Sequence, residues 1–100
     1  MNRVFVISAP HGKNLEPAKE FGPLTVMLDG NETSIQADDR LQEYLDDFKD
    51  SDFLLLIGNP MHIAIATHYL GRTFPCKDIQ ILLWDRESQT YTKSKIYALE

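Results

Sequence analysis

Four polar side chains, Ser8, His11, Lys13 and Asn14, surround Gly12 in the stretch SAPHGKN. A hydroxyl, an imidazole, an ammonium and an amide are groups that hold a small anion, and a glycine lets a ligand approach the backbone closely. A second stretch, LLLIGNPMHIA at 54–64, passes from an apolar run through Gly58, Asn59 and Pro60 into a further apolar run carrying His62. In open α/β sheets, ligands bind beyond the carboxyl ends of the strands at such junctions. If the first and third strands are neighbours, His11 and His62 face one ligand. The candidate ligand-binding set is therefore Ser8, His11, Lys13, Asn14, Gly58, Asn59 and His62, and its ligand class a nucleotide or other small phosphorylated molecule.

The residue types also carry a purely structural reading. A phosphate cradle needs several glycines and free N–H groups at a helix start. Here there is one glycine, Pro60 removes a donor at the first helical position, and Asn59 is a strong N-cap whose side chain takes another. Gly58 is equally explained by close strand–helix approach, and SAPHGKN by a surface turn.

Other chemistry has weaker support. Ser8 or Cys76 as a nucleophile needs a base and an orienting third group. His11, His62 and His68 have no zinc spacing, since His62 and His68 are six apart and point in different directions on a helix. No catalytic residue, metal or cofactor is expected.

The acids are distributed less evenly. Between residues 38 and 52 lie Asp38, Asp39, Glu43, Asp46, Asp47, Asp50 and Asp52 against Arg40 and Lys49, so this segment carries the whole net charge of −5. At ~100° per residue, Asp39, Glu43, Asp46 and Asp50 fall within about 60° of one another. Like charges at i,i+4 (Asp39/Glu43, Glu43/Asp47, Asp46/Asp50) each cost about 0.2–0.5 kcal/mol, and acids in a last turn oppose the helix dipole. A face that works against its own helix suggests a partner protein with a basic surface, contacted through Asp39, Glu43, Asp46, Asp47 and Asp50. A solvated surface is the plainer alternative.

The elements that must position these groups follow from periodicity and punctuation. RVFVIS (3–8) is β-branched and aromatic, stopped by Pro10 and Gly12, and reads as a strand. In NLEPAKEFGP, Asn14 can cap a short helix, Gly22 can end it left-handed, and Pro23 blocks continuation. LTVML (24–28) is a second strand. Thr33 and Gln36 match a capping box, and Leu41, Tyr44, Leu45 and Phe48 form one apolar stripe on the helix that follows, which DSD (50–52) ends. FLLLIG (53–58) lacks polar alternation and so should be covered on both faces. A helix from Pro60 to about Leu70, with Gly71 as its stop, precedes strand 79–85, the turn RESQT and a returning strand YTKSKIYAL. Its lysines guard an edge against unwanted pairing, and self-association through this C-terminal edge strand is a further expectation. Helices alternating with apolar strands imply right-handed crossovers. The expected fold is α/β: a single domain over 1–100, with a four- to five-stranded, mostly parallel sheet ending in an antiparallel hairpin, flanked by two main helices and one short helix.

Composition bounds the function. One hundred residues make one domain, and 43% hydrophobic with 25% charged is ordinary for a globular protein. The single cysteine permits no intrachain disulfide and fits a reducing, cytoplasmic setting. No run approaches the ~20 apolar residues of a membrane span, and the negative charge disfavours direct nucleic-acid binding.

Taken together, SAPHGKNLEPAKEFGPLTVMLDGN, DRLQEYLDDF, SDFLLLIGNP…AIATHYL and IQILLWDRESQTYTKSKI resemble a group of small bacteriophage-encoded α/β proteins. The likeness lies in apolar pattern and turn residues over nearly the whole chain, so it brings no active-site residues with it. It implies a phage accessory or virion-associated role in an infected cell, with the host cytoplasm as compartment. The function expected is that of a small non-enzymatic accessory protein acting by protein–protein interaction.

Overall fold

In the computed structural model, which describes residues 2–9 and 14–98, the elements follow the expected order. They are β1 (Val4–Ser8), a 3₁₀ helix (Glu16–Phe21), β2 (Leu24–Leu28), α1 (Ser34–Leu45), β3 (Phe53–Leu55), α2 (Pro60–Thr73), β4 (Ile79–Asp85) and β5 (Thr90–Ile96). One five-stranded sheet runs in the order β2-β1-β3-β4-β5. β1 pairs in parallel with both β2 and β3, β3 in parallel with β4, and β5 returns antiparallel to β4. The α/β class, the parallel core and the C-terminal hairpin are as the sequence indicates.

Alternation along the strands sorts the core into two layers. Phe5, Ile7, Leu54, Ile79 and Ile81 face the side covered by α1 and α2, packing with Ala37, Leu41, Leu45, Ala66 and Leu70. Val4, Val6, Phe53, Leu55, Leu82 and Tyr91 face the opposite side, where Ala18, Leu15 and Phe21 of the 3₁₀ segment close over them. The connection from β1 to β2 thus lies on one face and those from β2 to β3 and β3 to β4 on the other. The winding direction therefore reverses between β1 and β3. That is the topological switch point of a doubly wound sheet, the place where such folds bind ligands.

Several boundaries differ from the sequence reading. The first helix after the capping box ends at Leu45, with Asp46 as C-cap and no basic residue in its last turn. Four acids at and beyond that end are unfavourable to the helix dipole, and residues 46–52 instead form turns held by Asp52. Ala37, Leu41 and Leu45 are the buried stripe. Phe48 joins the core from the turn, its ring 5.7 Å from that of Phe5, whereas Tyr44 is 38% exposed. β3 stops at Leu55, because the Ile57 N–H bonds back to the Leu55 carbonyl in a tight turn (3.0 Å). α2 runs through Gly71 to Thr73. The exposed Gly71 has nothing within 4 Å of where a side chain would stand, so helix propagation costs only its modest propensity penalty. Packing of Phe74 carries the chain on until Pro75.

Candidate functional site

At the carboxyl ends of β1 and β3, the side chain of Ser8 is buried against Gly58. Gly58 has φ +122°, and a Cβ there would collide with Ser8 Oγ and stand 3.1 Å from Ser8 Cβ. The Ser8 N–H donates to the Ile57 carbonyl at 3.2 Å. Glycine is thus required for conformation and for space, and the space is filled by Ser8. Asn59 accepts from the Met61 N–H at 2.9 Å, the N-cap its residue type predicts. With Pro60 lacking an N–H, the start of α2 has little left to offer an anion.

His62 is fully buried in the first turn of α2. Its Nε2 lies 2.9 Å from the backbone carbonyl of Glu32. A carbonyl only accepts, so Nε2 carries the proton and donates, and Nδ1 is left without a hydrogen-bond partner.

Glu32 was not singled out by the sequence, and it organises this end of the sheet. Its carboxylate is buried and accepts from the Asp29 N–H (2.8 Å), the Gly30 N–H (2.9 Å) and Arg40 Nη1 (2.8 Å). Burial pushes the carboxyl up, but the backbone N–H groups of Asp29, Glu32 and Gly30, with the Arg40 charge, more than offset it and bring it down to about 2. A glutamate two residues after an Asp-Gly turn, able to fold back on that turn's amides, is the signal that could have found it.

Of the predicted ligand set, Ser8 and Gly58 are therefore in contact, Asn59 caps α2, and His62 reaches the β2–α1 loop. Asn14 ties the 3₁₀ segment down: its Oδ1 accepts from the Glu16 N–H at 3.0 Å, and its carbonyl accepts from Tyr91 Oη at 3.1 Å. His11 and Lys13 lie outside the described residues.

The acidic set divides in two. Asp46 accepts from Tyr69 Oη (3.4 Å), Asp47 pairs with Arg3 (3.3 Å) and Asp50 with Lys77 (3.2 Å). Asp50 lies beyond the end of α1, so it does not share one helical face with Asp39 and Glu43 as the sequence suggested. It borders instead an open groove of about 400 Å³ with Cys76, Lys77, Asp78, Gln80 and Lys95 at the opposite end of the sheet. Asp39 and Glu43 remain exposed on α1 with no ion pair among the described residues. Ile35, one turn before Asp39, is 74% exposed.

No nucleophile–base hydrogen bond involves Ser8 or Cys76 among the described residues, and there no three His, Cys, Asp or Glu side chains gather to hold a metal ion. Asp85, at the end of β4, accepts from Ser88 Oγ (2.7 Å) and the Glu87 N–H (3.2 Å), and so builds the hairpin turn. No helix among the described residues is long and apolar enough to cross a membrane.

Fold and strand-end geometry define a small doubly wound α/β domain whose switch point is closed by its own serine. The chain belongs to the Phage Pam3 gp32-like protein family, whose model it matches over residues 2–98, and it is phage-encoded. Neither the comparison with curated proteins nor that with solved structures gives a match.

Proposed function

We propose that this phage protein acts without catalysis, by binding another protein in the host cytoplasm through the outer face of α1. One observation carries the reading. Ile35, 74% exposed, heads a row continued by Asp39 and Glu43, while the acids nearby are used within the fold. An exposed apolar residue continued by two acids without ion-pair partners among the described residues fits the apolar centre and polar rim of a contact surface. The partner chemistry is an apolar socket with a basic rim. The acids steer the encounter, so the association rate falls as salt rises. Co-purification from phage-infected cells tests this: a protein retained by wild type and lost with Asp39→Lys/Glu43→Lys supports the face, and an identical set of retained proteins removes it.

A second reading rests on His62. A buried ring nitrogen without a partner at the switch point is the kind of group a ligand or water satisfies. In that reading the carboxyl end of the sheet binds a nucleotide or another small phosphorylated molecule. Thermal shift against such compounds decides it, since a ligand at 100 times its Kd adds about 2.7 kcal/mol. A flat melting temperature across the panel argues against this site.

A further inference from the structure

The outer strand of the β4–β5 hairpin is open to solvent. β5 forms the edge of the sheet, and residues 92–96 are all exposed. The register places Lys93 opposite Leu82 and Lys95 opposite Gln80 on one face, with Tyr91 opposite Trp84. On the other face Thr92, Ser94 and Ile96 stand opposite Leu83, Ile81 and Ile79. The helices bury Ile79 and Ile81 but leave Leu83 39% and Ile96 37% exposed, with Tyr97 beside them at 76%.

Side-chain contacts brace this edge at both ends. The turn is closed by Asp85, the Trp84 and Tyr91 rings meet edge to face at 5.0 Å, and Tyr91 Oη is tied to Asn14. Beyond Ile96, the Ala98 N–H donates to Asp78 Oδ1 at 2.9 Å. An ordered strand with no pairing partner on its outer side among the described residues needs no further folding to receive a partner strand, and that pre-organisation is what makes strand addition favourable.

We infer that β5 accepts an extended segment of a partner protein, with acidic residues at the alternate positions facing Lys93 and Lys95 and apolar residues between them. Side chains alternate along a strand, and directly opposed residues interact. Acids on the incoming strand therefore meet the two lysines, while the intervening residues stand beside Thr92, Ser94 and Ile96, where Ile96 offers apolar surface. The same lysines disfavour a second copy. In a two-fold antiparallel β5–β5 pairing centred on Lys93 or Ser94, lysine stands opposite lysine. This inference does not depend on the α1 surface, which is a separate element on the far side of the sheet.

The test uses the whole protein with a synthetic peptide alternating glutamate and valine, and a lysine–valine peptide as control, read by amide NMR and hydrogen exchange. The expected result is binding of the acidic peptide alone, with protection confined to β5 amides. Lys93→Glu/Lys95→Glu, at exposed positions that leave the core intact, should weaken it at least tenfold and shift preference to the control peptide. Asp39→Lys/Glu43→Lys should leave it unchanged, which separates failure here from failure of the α1 face. Equal binding of both peptides, absence of binding, or protection away from β5 overturns the inference. So does a dimer mass by light scattering with β5 amides protected in the absence of peptide.

Discussion

Arg3 and Asp52 are 49 residues apart in sequence and joined by three hydrogen bonds: the Arg3 N–H to Oδ1 (3.2 Å), Nε to Oδ1 (3.2 Å) and Nη2 to Oδ2 (2.6 Å). The Lys49 N–H adds a fourth to the Asp52 carboxylate at 2.8 Å. Asp52 is fully buried; burial pushes its carboxyl up, but the Arg3 hydrogen bond, the Lys49 amide and the Arg3 charge hold it below the usual carboxylate range. The pair fastens the turns after α1 to the start of β1, which pairs with β3 at Val4 and Phe53. Replacing Asp52 by Ala leaves the Arg3 and Lys49 N–H groups without their acceptor, while the Arg3 guanidinium keeps Asp47, and a buried donor left unsatisfied costs about 1–3 kcal/mol. Urea unfolding of Asp52→Ala should show a loss of that size, with the slope unchanged.

The Ser8–Gly58 contact makes a second prediction. Gly58→Ala incurs both a steric clash with Ser8 and a φ that alanine rarely adopts. The expected destabilisation is on the order of 2–4 kcal/mol, the φ part being about 1–3. Ser8→Ala in the Gly58→Ala background should recover only the part due to Oγ, because the close approach to the residue-8 Cβ and backbone N and the unfavourable φ remain. A double-mutant cycle measures the coupling, and strict additivity would mean that the two residues do not share the space.

Glu32 gives the fold a defined acid sensitivity. Its folded-state pKa lies at about 2, against a reference of 4.5, so the unfolded chain takes up a proton first as pH falls. The stabilisation from this group is fully present above pH 4.5 and disappears as pH drops toward 2. Urea midpoints measured across that window should fall for wild type and fall less for Glu32→Gln, which has no carboxyl to titrate.

Local signals in the sequence carried most of the architecture. The Thr33–Gln36 capping box forms in both directions, with the Gln36 N–H donating to Thr33 Oγ1 at 3.3 Å and the Thr33 N–H to Gln36 Oε1 at 3.0 Å. Asn59 caps α2, and the apolar run at 53–55 is covered on both faces, because each depends on neighbours within a few residues or on plain alternation. Features set by distant contacts were hidden. Nothing near Asp52 in sequence announces that Arg3 will bury it, and Glu32 looks like one more loop acid until its turn closes around it. The early end of α1 had a visible cause in its C-terminal acids, yet the apolar stripe through Tyr44 and Phe48 masked it. At the candidate ligand site, residue types were legible, but only the fold reveals that Ser8 occupies the space Gly58 leaves.

The α1 surface implies an unusual pairing of effects. Glu43→Lys replaces a like-charge neighbour of Asp39 with an oppositely charged one at i,i+4 and puts a cation in the last turn. The helix should gain about 0.5–1 kcal/mol from the two changes, read as a higher melting temperature, while partner binding weakens. A surface kept for solubility alone would show the gain without the loss.

Docking through the outer face of α1 can be read from a photo-crosslinking aliphatic residue placed at Ile35 and activated in phage-infected cells, with Glu20 on the opposite side of the sheet as the control position. One predominant crosslinked protein is expected from Ile35, absent from Glu20 and lost when Asp39 and Glu43 are both reversed to lysine. Crosslinks that are absent from Ile35, or the same from both positions, would contradict that docking.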